Sequence, residues 1–475
     1  MDLSHVTEAS AVEIAQAVRQ RKLTAVAVMR TFLDRIERLE PRLNTFATLT
    51  AEAALQQAHH VDKLIAGARD PGPLAGVPVS VKDLIAVRGV PQAFGSKLLA
   101  DHVAPHDAPS VERLRHAGAC IVGKSTTSEL GSKAVGDSPL TGITRNPWNP
   151  QHTPGGSSAG AAAQVAARMV PVALATDGGG SIRIPSSFCG VFGLKARFGR
   201  VPVWPPAAAP ALSHVGPITH SVRDAALVLS VIAGRDARDE ASLRAPAPEF
   251  EAGLAQGVAG LRIGWCPSFG YGSAEDEVLQ ACEQAACQLE AQGALLKAVP
   301  PPFARDPAPA WNRLFYGRIG ERLAELAPDP QRRALVNAAL REAVDALAAF
   351  GPPVEAELAA LREDTWVHTR AVFREVDVLL TPTLPVTALP VGVDVPPGHA
   401  GRNAVDWSYF TYPFNLTGHP AASFPVGCDR AGLPIGLQLV APLDGGEAAI
   451  LRVAAALERL RPIALPPPEG LRERA

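Results

Sequence analysis

Two glycine-rich loops, each closed by serine, constrain this chain more than any other feature. They are Gly155-Gly156-Ser157-Ser158 and Gly178-Gly179-Gly180-Ser181. Ser157 and Ser181 lie 24 residues apart. Between them, residues 159–168 are nearly all small and read as a buried helix, and Val170 to Ala175 reads as a strand. Glycine lets the backbone take positive φ and come close to a ligand. Successive N–H groups in such a turn converge on an anion. A serine ending the turn then stands where a nucleophile and an oxyanion hole coincide. The plain alternative is a pair of ordinary flexible loops.

A third feature adds chemistry. Val77-Pro-Val-Ser-Val-Lys82 is a short β-rich run that ends on lysine. Val77, Val79, Val81 and Leu84 surround that lysine with apolar residues, and a buried lysine loses its charge and can act as a base. The alternative is a solvated lysine at a strand end.

Alternating helices and short strands give an α/β expectation. Ser10-x-x-Glu13 is a capping box opening a helix to about Arg21. Thr24 caps a second helix, with Met29, Phe32, Leu33 and Ile36 on one face and Pro41 at its end. Residues 51–68 read as a third helix, and Ser110 to His116 as another, followed by a strand from Ala119. Further helices are expected over Ser273–Gln292, Pro330–Phe350 and Val354–Glu375, with strands at Val376–Leu380 and Gly436–Val440. Pro466 to Pro468 and the residues after them read as a tail.

Composition excludes whole classes of function. Lys and Arg total 45 against 47 Asp and Glu, a net charge of -2, which argues against a nucleic-acid binder. The N-terminus lacks the basic and apolar regions of a secretory signal. The least polar long stretch, Ala159–Thr176, is broken by Gln164, Arg168 and Pro171, so no membrane span is expected. Six scattered cysteines form no C-x-x-C pair and suit a reducing compartment. A soluble, cytoplasmic protein is the expectation. There is no H-E-x-x-H, and His59 and His60 are adjacent on a helix and face apart, so no metal is expected.

Two short motifs match by letter and fail on context. Gly118-Ala-Cys-Ile-Val-Gly123-Lys124-Ser125 fits a phosphate-binding loop, but a helix precedes it and its middle is strand-like. A nucleotide-binding protein would lose ATP on Lys124→Ala. Gly156-Ser157-Ser158-Ala159-Gly160 fits a nucleophile elbow with Ser158 as nucleophile, but three prolines between 147 and 154 bar the strand an elbow requires.

Taken in order, Gly76 to Asp83, Thr144 to Gly160 and Thr176 to Lys195 resemble the amidase signature family, as do Asp377 to Thr383 and Asn415 to Ala422. The resemblance covers about 10–235 and 370–445. It implies a mixed central β-sheet flanked by helices, and a Ser–Ser–Lys triad. Ser181 is the implied nucleophile and Lys82 the implied base. Ser157 is the implied bridging serine, held in the family by a cis peptide bond. The implied oxyanion donors are the N–H groups of Gly178, Gly179, Gly180 and Ser181. Gly178 departs from the family, where a larger residue is frequent. Ser158 is a supporting group, and Asp177 with Arg183 is read as a pair that shapes the loop.

The chemistry agrees: a serine is a weak nucleophile until a neighbour takes its proton, a neutral Lys82 can take it, and Ser157 can relay it. The implied function is hydrolysis of a carboxylic amide C–N bond through a Ser181 acyl-enzyme, with no cofactor and a small-molecule amide as substrate. A homodimer is left open. Rivals are a urea- or biuret-type hydrolase and the glutaminase chain of a tRNA-dependent amidotransferase, its A subunit. Ala211-Leu-Ser-His214 in place of Ser-Leu-Asp-Gln, and Ile184 in place of Gln, favour a stand-alone amidase. A catalytically dead interaction protein is disfavoured because all three triad positions are filled.

One domain is expected over 1–475: N-terminal helices to 70, a catalytic core over 71–240, a helical cap over 250–370, and a return to the core over 371–460. Trp311, Phe315, Tyr316, Trp407, Tyr409 and Phe410 are candidate pocket residues, with core packing the plain reading for each.

Overall fold

The computed structural model describes residues 2–303, 305–348 and 355–466. The tail from 467 onward, and the helix ends placed at Phe350 and Val354, lie outside the described residues.

One sheet organises the molecule. Its strands in chain order are β1 (Phe46–Leu49), β2 (Pro78–Lys82), β3 (Cys120–Ser125), β6 (Val172–Asp177), β7 (Phe192–Lys195), β8 (His214–Thr219), β9 (Arg262–Trp265), β10 (Leu295–Ala298), β11 (Val378–Pro382), β12 (Ala421–Cys428) and β13 (Pro434–Val440). β4 (Asp137–Ser138) and β5 (Gly142–Ile143) form a separate small hairpin. The spatial order is β1-β3-β2-β6-β8-β7-β12-β13-β11-β9-β10. The β2–β3, β2–β6, β9–β11 and β9–β10 pairs are parallel and the rest antiparallel, so the sheet is mixed. β2, β3 and β6 are almost wholly buried, which is why they read as apolar runs rather than alternating ones.

Helices cover the sheet. The Ser10 capping box forms with both reciprocal bonds. The second helix runs past Pro41 to Leu43 and stops at Asn44, whose φ of 51° ends it. Between the two glycine loops, the helix Ala159–Ala166 packs on β2, β6 and β8 with every residue buried. A Cβ at Gly160 would lie 2.2 Å from the Thr45 carbonyl oxygen, so only glycine lets the helix come this close.

The stretch 250–370, read as a helical cap, is not wholly helical. β9 and β10 lie inside it and extend the sheet to its edge. Both are four residues long, and β10 is largely exposed, so neither carries an alternating pattern. The helices of this stretch include Ala308–Leu326, whose glycines 317 and 320 weaken its sequence signal. A Cβ at Gly320 would meet Val344 at 2.9 Å, so that glycine lets the helix Ala338–Ala348 pack against it.

Candidate active site

Two strand ends place the chemistry. Lys82 closes β2, which lies between β3 and β6, and is fully buried. Its Nζ lies 2.7 Å from Ser157 Oγ and 2.8 Å from Thr176 Oγ1 on β6. Burial pushes the Lys82 pKa well below its ordinary value, and the charge of Asp177 offsets this only in part. An uncharged amine has a lone pair that can accept the Ser157 O–H while an N–H donates to Thr176.

Ser157 sits in the first glycine loop, and the Gly156–Ser157 peptide is cis. A Cβ at Gly156 would lie 2.4 Å from the Val135 carbonyl oxygen, so the residue before the cis bond has no room for a side chain. Ser158 is buried beside it. Its hydroxyl donates to the Thr176 carbonyl at 3.1 Å and its N–H to the Ser181 carbonyl at 3.3 Å. It thus ties the two serine loops together, and its hydroxyl is committed to that tie.

The second loop joins β6 to the helix Arg183–Cys189, and every carbonyl in it is occupied. Asp177 O accepts from Asn415 and lies 3.2 Å from His214 Nδ1. Gly178 O accepts the Trp311 indole N–H at 2.9 Å, and Gly179 O the Thr411 hydroxyl at 2.7 Å. Gly180 O accepts from Ile184 N–H and Ser181 O from Ser158 N–H. Gly180 N–H is itself spent on Asp177 Oδ1 at 2.8 Å, which takes it out of the expected donor set. The carboxylate that braces the loop competes for that N–H. Among the described residues the N–H groups of Gly178, Gly179 and Ser181 carry no hydrogen bond. No hydrogen bond engages the Ser181 hydroxyl either. Ser157, Thr176, Gly178 and Ser181 all line one cavity of about 630 Å³.

Asp177 and Arg183 form the brace. Arg183 Nε and Nη2 grip the two Asp177 oxygens at 3.0 and 2.9 Å, with both side chains fully buried. The guanidinium also donates to Gln438, Asn415 and the Thr411 carbonyl. Burial alone would raise the Asp177 pKa. The charges of Arg183 and Lys195 and the Asn415 hydrogen bond outweigh it and hold the carboxyl below the usual range.

The cavity lining includes the apolar side chains of Leu84, Ile85, Phe94, Leu130, Val215 and Phe315 together with Gln92, His102, His106, Ser213 and His214. Arg318, Glu321, Arg322 and Glu325 lie on one face of the helix Ala308–Leu326 at the rim, with ion pairs between 318 and 321 and between 322 and 325. Of the six aromatic candidates, Phe315 alone lines the cavity. Trp311 packs behind it, Tyr316 donates to the Ser132 carbonyl, and Trp407 stacks on Phe188. Tyr409 and Phe410 lie in the core beneath.

Thr176, Thr411 and Asn415 went unrecognised as site residues in the sequence, and Trp311 was a candidate for the pocket wall, not for the loop. Thr176 and Asn415 stand inside the family-like stretches, so a signal was present. Trp311 and Thr411 reach the loop only through the fold. Lys124, the lysine of the phosphate-loop match, lies in β3 and pairs with Asp83 at 3.2 Å. Among the described residues no group of three or more His, Cys, Asp or Glu is arranged to hold a metal.

The sequence profile of the Amidase family matches residues 27–451. The A subunit of the glutamyl-tRNA(Gln) amidotransferase of Synechococcus sp. (strain RCC307) is 37% identical, covering 96% of this chain and 98% of its own. An acylamidase of Rhodococcus erythropolis is 34% identical over 95% of both chains. The crystal structure of a bacterial aryl acylamidase of the amidase signature family superposes with a TM-score of 0.89 at 31% identity, covering 96% of each chain.

Proposed function

This chain belongs to the amidase signature family, and from that premise we propose that it is a free-standing amidase that cleaves an amide C–N bond through a Ser181 acyl-enzyme. The observation that carries the reading is the 2.7 Å contact of buried Lys82 with Ser157, which lines the same cavity as Ser181. Ser181 Oγ attacks the substrate carbonyl as its proton passes to Ser157, whose own proton passes to Lys82. The oxyanion that forms is met by the free N–H groups of Gly178, Gly179 and Ser181. The tetrahedral intermediate collapses, and the leaving nitrogen takes its proton back through Ser157. Water then attacks the ester by the same relay and frees the acid and Ser181.

An acyl group with an apolar body suits the wall of Leu84, Ile85, Phe94, Leu130 and Phe315. The 37% identity to an amidotransferase chain favours a second reading, a glutamine-hydrolysing component of a larger complex. Glutamine carries an ammonium and a carboxylate, and the Arg and Glu side chains among the cavity's described lining, Arg318, Glu321, Arg322 and Glu325, sit on one exposed helix face and pair with each other. The helices between 308 and 348 act as the cap over this site. Six free cysteines, four of them buried, support work in a reducing cytoplasm.

A fluorophosphonate probe at pH 8–9, with the labelled peptide mapped by mass spectrometry, tests the mechanism. A label on Ser181 that is lost in Lys82→Ala is the expected result. A label on Ser158 would overturn the assignment. Release of an amine from an apolar amide by the isolated chain separates the free-standing reading from the glutaminase one.

A further inference from the structure

Each loop peptide between Asp177 and Ser181 is held by its carbonyl, and three of the holders, Trp311, Thr411 and Asn415, come from far away in the chain. The Trp311 indole N–H donates to Gly178 O at 2.9 Å across 133 residues of sequence. The 178–179 peptide is trans, so its C=O and N–H point in opposite directions. Fixing the carbonyl on Trp311 therefore turns the Gly179 N–H to the other side, away from the helix Ala308–Leu326.

The contact is tight. A Cβ at Gly179 would lie 2.4 Å from Trp311 Cζ2, and one at Gly178 would lie 3.3 Å from Phe315 Cε2. Trp311 and Phe315 stack at 4.5 Å, and Tyr412 packs on the indole at 5.4 Å. Phe315 lines the cavity, whereas Trp311 is fully buried and does not. Trp311 thus acts on the loop from behind, through its bond to the Gly178 carbonyl and its packing on Gly179. Glycine at 178, where the family often carries a larger residue, leaves room for the Phe315 ring that covers this arrangement.

We propose that Trp311 is a positioning residue for the oxyanion hole, acting through its indole hydrogen bond to Gly178 O to aim the Gly179 N–H at the substrate oxyanion. The proposal rests on the reading of Ser181 as nucleophile.

Trp311→Phe keeps an aromatic ring against Phe315 and Tyr412 and removes the donor. The expected result is a fall in kcat of about tenfold or more with KM within about twofold. An arylboronic acid, which forms a tetrahedral adduct on a nucleophilic serine, should lose affinity by the same factor as kcat. Leu323→Ala is the structural control on the same helix. Leu323 is buried, lies outside the cavity lining and stands twelve residues, about 18 Å, along the helix from Trp311, so its truncation should lower Tm and leave kcat near wild type.

Unchanged kcat in Trp311→Phe, or a loss no larger than in Leu323→Ala, overturns the proposal. So does a raised KM at constant kcat, which would make Trp311 part of the binding wall. If Trp311→Phe does not fold, 3-benzothienylalanine at position 311 makes the same test, since it swaps the indole N–H for sulfur in one bicyclic frame. Fluorophosphonate labelling of the wild type keeps the two failures apart. A wild type without label on Ser181 removes the parent reading. A labelled wild type with unaltered Trp311→Phe kinetics removes only this one.

Discussion

Lys82 can accept a proton only when uncharged, and its place at the end of a buried strand supplies that condition. Burial lowers its pKa well below the ordinary lysine value. Below the lowered pKa Lys82 is an ammonium and the relay from Ser181 stops; above it the amine is free. Activity should therefore fall by about tenfold per pH unit on the acid side of a single ionisation and level off above it. A pH profile of kcat/KM checks this, and Lys82→Arg, which stays charged, should be inactive at every pH. Asp177 poses a different problem. Asp177→Ala would leave the Arg183 guanidinium buried without its carboxylate and free the Gly180 and Ile182 N–H groups. The expected cost is about 3–5 kcal/mol, read from the urea midpoint. At this scale the sequence was most informative where chemistry is local: the two serines and the lysine stand in ordered motifs. It misassigned Gly180, because a donor's availability depends on which way a neighbouring carboxylate turns.

The helix Ala159–Ala166 and the loops at its two ends behave as one element, because the helix starts directly after Ser157-Ser158 and packs on β2 and β6, the strands that carry Lys82 and Thr176. Gly160 sets its height over the sheet. Gly160→Ala would push a methyl to 2.2 Å from Thr45 O and 2.6 Å from Thr126 N, both backbone atoms that cannot step aside. A loss of about 1–3 kcal/mol is expected, with kcat falling alongside as Ser157 shifts from Lys82. Thermal unfolding and kinetics on the same preparation check both. The small-residue helix was legible because its composition and its setting agree. β9 and β10 were not, since four residues are too few to show a period. The helix Ala308–Leu326 lacked defined bounds because Gly320 answers to Val344 on a neighbouring helix rather than to local propensity.

The sheet joins what the sequence separates. β6 neighbours β2 and β8, and β12 with β13 joins that half of the sheet to β11 and β9; residues near 80, 180 and 315 line one cavity, and Thr411 and Asn415 hold the loop that carries Ser181. The α/β class and the mixed sheet were legible from alternating segments and from the family motifs; the strand order was not, because crossovers leave no local mark. The outcome is a cavity of about 630 Å³ with a largely apolar lining, His102, His106 and His214 among it, and paired Arg and Glu side chains on the exposed helix face 318–325. With a net charge of -2, long-range steering contributes little, so selection should come from burial. Each methylene moved from water into such a wall is worth about 0.8 kcal/mol, or about fourfold in kcat/KM when the contact forms with the acyl group held for attack. A series of unbranched acyl amides with one common amine should therefore rise by about fourfold per methylene until the chain fills the space beside Phe315, and then drop. Phe315→Ala should move the optimum to longer chains by removing the ring that ends that space. A series that is flat in chain length, or that rises only when a charge is added to the acyl end, would place recognition at the rim pairs of Arg318, Glu321, Arg322 and Glu325 and refute selection by the apolar wall.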